Sequence, residues 1–238
     1  MQGGSGASEL ALAERPPGRW EDLRKRVFSA LVLAPIAIAG VWVGGIAFIL
    51  IVAALMAGLT VEWLGLCRQS RWPALRPAGF AYVVLAGVAI LWLRQDPDAG
   101  RADVLFLLFI VWADDIGAYL AGRLIGGPRL APHISPGKTW SGSLGGLFAA
   151  IAAGLFVAHF LAGSVTWRTA AIAALLAIVA QGGDLLESFV KRRLEVKDSG
   201  HLIPGHGGLF DRLDGVLAAA PVAALLALTL GRGVVLWQ

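Results

Sequence analysis

The chain is poor in charge and nearly free of cysteine. Of its 238 residues 15% are charged, and Cys67 is the single cysteine. One thiol excludes a disulfide scaffold and argues against a four-cysteine zinc module. A soluble domain carries about a quarter charged residues, so this chain has too few to cover a globule of its size. Apolar residues are what it has in plenty: 57% of the total, with a mean hydropathy of +0.72. The surplus apolar surface must face lipid, which predicts a polytopic membrane protein. The net charge is only +4, and the basic residues flank apolar segments. In that position they report orientation rather than a polyanionic partner, so no nucleic-acid partner is expected.

Charge-free stretches of helical length predict about seven transmembrane helices in an all-α bundle. They run over 27–42, 46–66, 80–93, 104–122, 144–162, 169–190 and 216–230. Residues 1–26 are polar and mixed in charge, without the pattern of a cleavable signal, and read as an N-terminal segment ahead of a transmembrane domain at 27–238. Sixteen of the 20 basic residues fall before the first segment or after the second, fourth and sixth. The positive-inside rule then places the N-terminus and the polar loops near 123–143 and 191–214 in the cytoplasm.

Those two loops hold most of the chemistry. Ser188 to Gly215 carries five basic residues, two histidines, Asp211 and Asp214 at i, i+3, and the turn Pro204-Gly-His206-Gly207-Gly208. Glycines let the backbone approach a ligand and expose N–H donors, as phosphate sites do. On the preceding helix Asp184, Ser188 and Lys191 form one stripe. A carboxylate at membrane depth is costly unless paired or functional. Gly182-Gly183 suggests close helix packing or a local break there. Asp114-Asp115 places two more acids in an apolar run, where they need a cavity, a cation or basic partners. The loop that follows ends Ser135-Pro-Gly137-Lys138-Thr139-Trp140, a Lys-Thr pair at a helix start that reads as a phosphate cradle or a helix cap, without P-loop spacing. Glu62 is expected to pair with Arg68 or a lysine of the site. His159 is expected to be packed, and Cys67 to be inert.

The stretch from Ser188 resembles the long signature of the phosphatidate cytidylyltransferases, or CDP-diacylglycerol synthases. Its elements are Ser188, Lys191-Arg192, Lys197-Asp198, Pro204-Gly-His206-Gly207-Gly208 and Asp211-Arg212-Leu-Asp214, in order and at spacing. The resemblance extends upstream through Asp114-Asp115-Ile-Gly-Ala-Tyr119 and Ser135-Pro-Gly-Lys138-Thr139-Trp140, covering roughly residues 104–215. Gly137 stands where the family pattern often has lysine, one basic side chain fewer. The resemblance implies transfer of a cytidylyl group from CTP to phosphatidate within the bilayer, with Mg²⁺ and room for a second, monovalent or divalent, cation. It implies Asp184, Ser188, Lys191 and Asp211 as catalytic residues, with Asp184 and Asp211 holding metal. Asp214 joins the metal set on its spacing alone. Substrate contacts are expected from Lys138, Thr139, Arg192, Lys197, His206, Gly207, Gly208 and Arg212. A homodimer is an admissible assembly, and the setting implied is the cell inner (plasma) membrane.

Two other readings stand beside it. An ion-coupled transporter would use Asp114, Asp115 and Asp184 as cation sites, but has no need of the His-Gly-Gly loop. A CTP-dependent polyprenol kinase would share the nucleotide chemistry with a different acceptor. Both Asp184 and the Asp211/Asp214 pair should meet at one centre if the resemblance holds.

Overall fold

The computed structural model describes residues 33–69, 71–163, 165–196, 199–200, 208–231 and 233–238. The basic cluster at Arg15 to Arg26, and Lys197, His206 and Gly207 of the signature, lie outside the described residues. The chain divides into two compact units, residues 1–37 and 38–238. Of the first, only residues 33–37 are described, all within an apolar helix, α1 (Leu33–Val43).

Among its described residues the second unit is built of helices and one hairpin. After α1 come α2 (Gly45–Leu66), a 3₁₀ turn (Cys67–Gln69), α3 (Leu75–Arg94) and α4 (Gly100–Leu124). Strands β1 (Arg129–Ala131) and β2 (Ser135–Thr139) follow, then α5 (Trp140–Ala162), α6 (Trp167–Arg193) and α7 (Phe210–Leu230). Helices α2 to α7 are each long and apolar enough to cross a membrane, which makes this a multi-pass membrane protein. In hydrocarbon every backbone N–H and C=O must be satisfied within the segment, and the helix does this. Large side chains such as Ile46, Phe148, Phe160 and Trp167 point outward, as lipid-facing residues do.

All the expected apolar segments are helical where described, but several helices begin earlier than the charge-free runs. α3 starts at Leu75 rather than 80, α5 at Trp140 rather than 144, and α7 at Phe210 rather than 216. Hydropathy marks the lipid-crossing part, whereas the helix runs on into the polar end. The stretch expected as a plain glycine-rich loop contains the β1–β2 hairpin, with Arg129 opposite Thr139 and Ala131 opposite Ser135.

Small residues bring the helices together. α4 and α5 meet along a seam where a methyl on Gly117 would strike Ala149 and the Gly145 carbonyl, and one on Gly145 would strike Ala121. Without a hydrophobic drive in lipid, such close backbone approach and van der Waals contact hold membrane helices together. Gly183 on α6 lies against Ala218 and the Asp214 carbonyl of α7, so close packing is the outcome of the two suggested for that glycine pair. Gly182, its neighbour, faces open space. The centre of the core is Phe106, Leu107 and Ile110 of α4 with Ala173, Leu176 and Ala177 of α6 and Ala219, Ala220 and Ala223 of α7.

The chain after α7 folds back against the bundle. Leu236 donates its N–H to Asp103 at 2.8 Å, and Gly233 donates to Asp96 at 2.8 Å. Trp237 is buried with its ring 4.5 Å from that of Phe106. These contacts lie at the N-terminal end of α4, the end opposite the hairpin.

Candidate active site

At the hairpin end, α6 runs on beyond its last residue in the main core, Ala180, to Arg193. Asp184, Glu187, Ser188 and Lys191 fall at i, i+3, i+4 and i+7, one stripe of the helix. That stripe faces the first turns of α7, where Asp211 and Asp214 sit at i, i+3. The helix pair is held close by Gly183 against Asp214, which sets the acids opposite one another.

Carboxylate oxygens of Asp184, Glu187 and Asp214 lie within 4.8 Å of one another, an arrangement able to hold a metal ion. This triplet contains Glu187 in place of the Asp211 expected from the sequence. Asp211 is engaged differently: Oδ1 accepts from Lys191 Nζ at 2.5 Å, and Oδ2 accepts the N–H groups of Ser199 at 3.1 Å and Gly208 at 2.9 Å. Lys191 bridges the two sets, because its Nζ also lies 3.2 Å from Oε1 of the buried Glu187. Glu187 was readable as a third acid on the stripe, one turn after Asp184 and one before Lys191. The signal was masked by the basic run beside it.

Asp184 is paired with Lys138, which β2 delivers from the hairpin. Arg192 of α6 donates to the Ile134 carbonyl at 3.3 Å and ties the hairpin turn to the same helix. The hairpin and the adjoining ends of α6 and α7 therefore lie together. Thr139 is spent on structure: it caps α5, its Oγ1 accepting from the Gly142 N–H at 3.1 Å. Of the two readings of the Lys-Thr pair, the helix cap describes Thr139, while Lys138 reaches the acids. The Ser188 side chain makes no hydrogen bond among the described residues. Arg212 is exposed on the first turn of α7, and Gly208 contributes a backbone N–H to Asp211 rather than an open cradle.

The two acids of α4 part company. Asp114 is buried and accepts from Gln181 Nε2 at 2.7 Å, and Gln181 in turn bonds Ser143 of α5. This network ties α4, α5 and α6 together. Asp115 lies within electrostatic reach of Asp184, Asp214, Lys138 and Arg212, so a fourth carboxyl group stands near the triplet.

Glu62 meets neither Arg68 nor a lysine among the described residues; it accepts the N–H groups of Leu209 and Phe210 instead. His159 is exposed on α5 rather than packed within the core. Cys67 is buried, and loss of hydration pushes its thiol upward, against a smaller opposing pull from Arg76.

An all-oxygen donor set suits a hard divalent cation. Three carboxyl groups this close fit such an ion by ligand type.

The model of the cytidylyltransferase family matches residues 69–230, a span holding every described site residue except Glu62. A phosphatidate cytidylyltransferase of Brucella suis biovar 1 (strain 1330) is 36% identical, the match covering 86% of this chain and 93% of that protein. One from Brucella melitensis biotype 1 has the same identity and coverage. One from Mycobacterium leprae (strain TN) is 47% identical over 59% of this chain and 44% of its own length. With the family model spanning most of the chain and relatives aligned nearly end to end, the chain belongs to the cytidylyltransferase family, and is an enzyme of nucleotidyl transfer.

Proposed function

We propose that this protein transfers the cytidylyl group of CTP to phosphatidate, giving CDP-diacylglycerol and pyrophosphate. The observation that carries the reading is the meeting of two lysines and at least three carboxylates, from the hairpin, α6 and α7, at one end of a membrane bundle. The relatives' names supply the substrates. A phosphate oxygen of the lipid attacks the α-phosphorus of CTP. The bond from that phosphorus to the bridging oxygen breaks, and pyrophosphate leaves with the electron pair. Such a transfer depends on alignment and charge stabilisation more than on a covalent nucleophile.

The residues take roles that follow from their places. Asp184, Glu187 and Asp214 would hold Mg²⁺, which when bound supplies charge neutralisation and orientation to the phosphates. Lys191, fixed between Asp211 and Glu187, presents a cation at a set position. Lys138, on a strand rather than in the helix pair, supplies a cation to the triphosphate from the hairpin side. Ser188 offers a hydroxyl donor to a phosphate oxygen, and Arg192 and Arg212 add positive charge at the rim. For Lys197, His206 and Gly207 the proposed substrate contacts rest on the resemblance of the signature alone.

The lipid keeps its acyl chains in the bilayer, since each buried CH₂ contributes about 0.8 kcal/mol. Its phosphate enters sideways, past the exposed face of Gly182. CTP arrives from the cytoplasm, so the site end of the bundle, like residues 1–26 ahead of the transmembrane domain at 27–238, faces the cytoplasm of an inner membrane. The test is direct. Purified protein with labelled CTP, phosphatidate and Mg²⁺ should release CDP-diacylglycerol and pyrophosphate in equal amounts. Turnover of CTP without a lipid-linked nucleotide would refute the assignment.

A further inference from the structure

Glu62 is an acid on an otherwise apolar helix, 5% exposed, four residues before the end of α2. A buried carboxylate needs compensation. Its partners here are backbone: Oε1 accepts from Leu209 N at 2.8 Å and Oε2 from Phe210 N at 2.9 Å. Those N–H groups begin α7. A helix start leaves its first N–H groups unpaired and carries a partial positive charge, which a carboxylate satisfies best. α7 has no cap of its own, because Leu209 at the N-cap position provides no side-chain acceptor. The cap comes from 147 residues away.

Two glycines are shaped around the same carboxylate. A methyl on Gly200 would stand 2.9 Å from Glu62 Oε1, and one on Gly208 would stand 2.9 Å from Oε2 and collide with Ser199 Oγ. Ser199 and Gly208 are the two residues whose N–H groups hold Asp211 Oδ2, and Asp211 holds Lys191. A chain of contacts thus runs from Glu62 through the start of α7 and its two flanking residues to the Asp211–Lys191 pair.

We propose that Glu62 is a positioning residue for the nucleotidyl transfer, an anchor on α2 that fixes where α7 begins and so where Asp211, Lys191 and Asp214 stand. It touches no reacting atom. As a carboxylate it also occupies the helix start, which would otherwise attract a phosphate to a position away from Lys191. A neutral amide cannot replace it, since a Gln side chain would turn an N–H₂ toward one of the two backbone donors.

The experiment compares the wild type with Glu62→Gln and Glu62→Asp in detergent or nanodiscs, reading steady-state kinetics and backbone hydrogen exchange together. For Glu62→Gln the expected result is a fall in kcat of at least about tenfold with KM for both substrates within about threefold. Exchange should quicken within 208–214 while α4 and α5 keep wild-type protection. Glu62→Asp keeps the charge and should recover part of both effects. Unaltered exchange at 208–214, unaltered kcat, or a uniform loss of protection across all helices with no recovery in Glu62→Asp would overturn the proposal. The kinetic arm rests on the proposed reaction, whereas the exchange arm does not. A wild type that makes no CDP-diacylglycerol would therefore refute the function while exchange still decides the anchor.

Discussion

Glu187 and Asp211 both contact Lys191, yet their remaining bonds set them apart. Asp211 Oδ2 accepts two backbone N–H groups, whereas Glu187, which also contacts Asp211, reaches Asp184 and Asp214 as well. The proposed metal site therefore includes Glu187. Glu187→Gln should raise the Mg²⁺ concentration for half-maximal activity and lower kcat by roughly a hundredfold, about 2.7 kcal/mol of transition-state stabilisation. Asp211→Asn should lower kcat by loosening Lys191 but leave the Mg²⁺ dependence close to wild type. Titrations with the opposite pattern would return Asp211 to the metal set.

Lys138 separates binding from folding at the same scale. Its ion pair with Asp184 is partly exposed, at 24% and 36% for the two side chains. Pairs of that kind contribute about 0–1 kcal/mol to stability. Lys138→Ala should therefore leave the melting temperature nearly unchanged while raising KM for CTP or lowering kcat. Wild-type kinetics for both substrates would remove Lys138 from the site.

At the scale of elements, the junction of α6 and α7 decides the site's geometry. Gly183 has no room for a side chain against Ala218 and the Asp214 carbonyl, whereas Gly182 has open space. Gly183→Leu should force the helices apart, lower the melting temperature and abolish activity for both substrates. Gly182→Leu should fold normally and raise KM for phosphatidate more than KM for CTP, because it narrows only the lipid side. Equal effects from the two substitutions, measured by thermal shift and kinetics, would rule out the lateral approach at Gly182.

The elements also show what the sequence could reveal. Each lipid-crossing run was legible, because twenty apolar residues have few alternatives in a membrane. The helix starts were not, because at the polar end helices continue on hydrogen bonds and caps such as Thr139 rather than on hydropathy. The β1–β2 hairpin was hidden by Ser-Pro-Gly-Lys-Thr, a stretch without strand alternation. The stripe of Asp184, Ser188 and Lys191 was legible from period alone. Glu62 was visible as a costly acid, but its partners were backbone N–H groups far along the chain, and no side-chain pattern encodes those.

For the whole molecule, stability and chemistry sit at opposite ends. Asp103, which holds the returning C-terminal segment, and Asp115, beside the triplet, are both on α4, about 18 Å apart along its axis. Trp237 is 1% exposed and lies against Phe106. Trp237→Ala should cost about 3 kcal/mol, lowering the melting temperature by roughly 6–12 °C. At a temperature well below melting, its kcat should remain near wild type. A large loss of activity in fully folded Trp237→Ala would mean that the two ends are coupled.

Because the lysines, the acids, the hairpin and the anchor at Glu62 all gather at one end, the protein is chemically one-sided. In sealed vesicles holding the protein in both orientations, CTP added outside should reach only the molecules whose hairpins point outward. The remainder are silent until the membrane is made leaky. Activity should therefore rise on permeabilisation, and a membrane-impermeant lysine reagent should inhibit the accessible fraction alone. Sealed vesicles that show full activity from the start would mean that CTP can reach the site from either face.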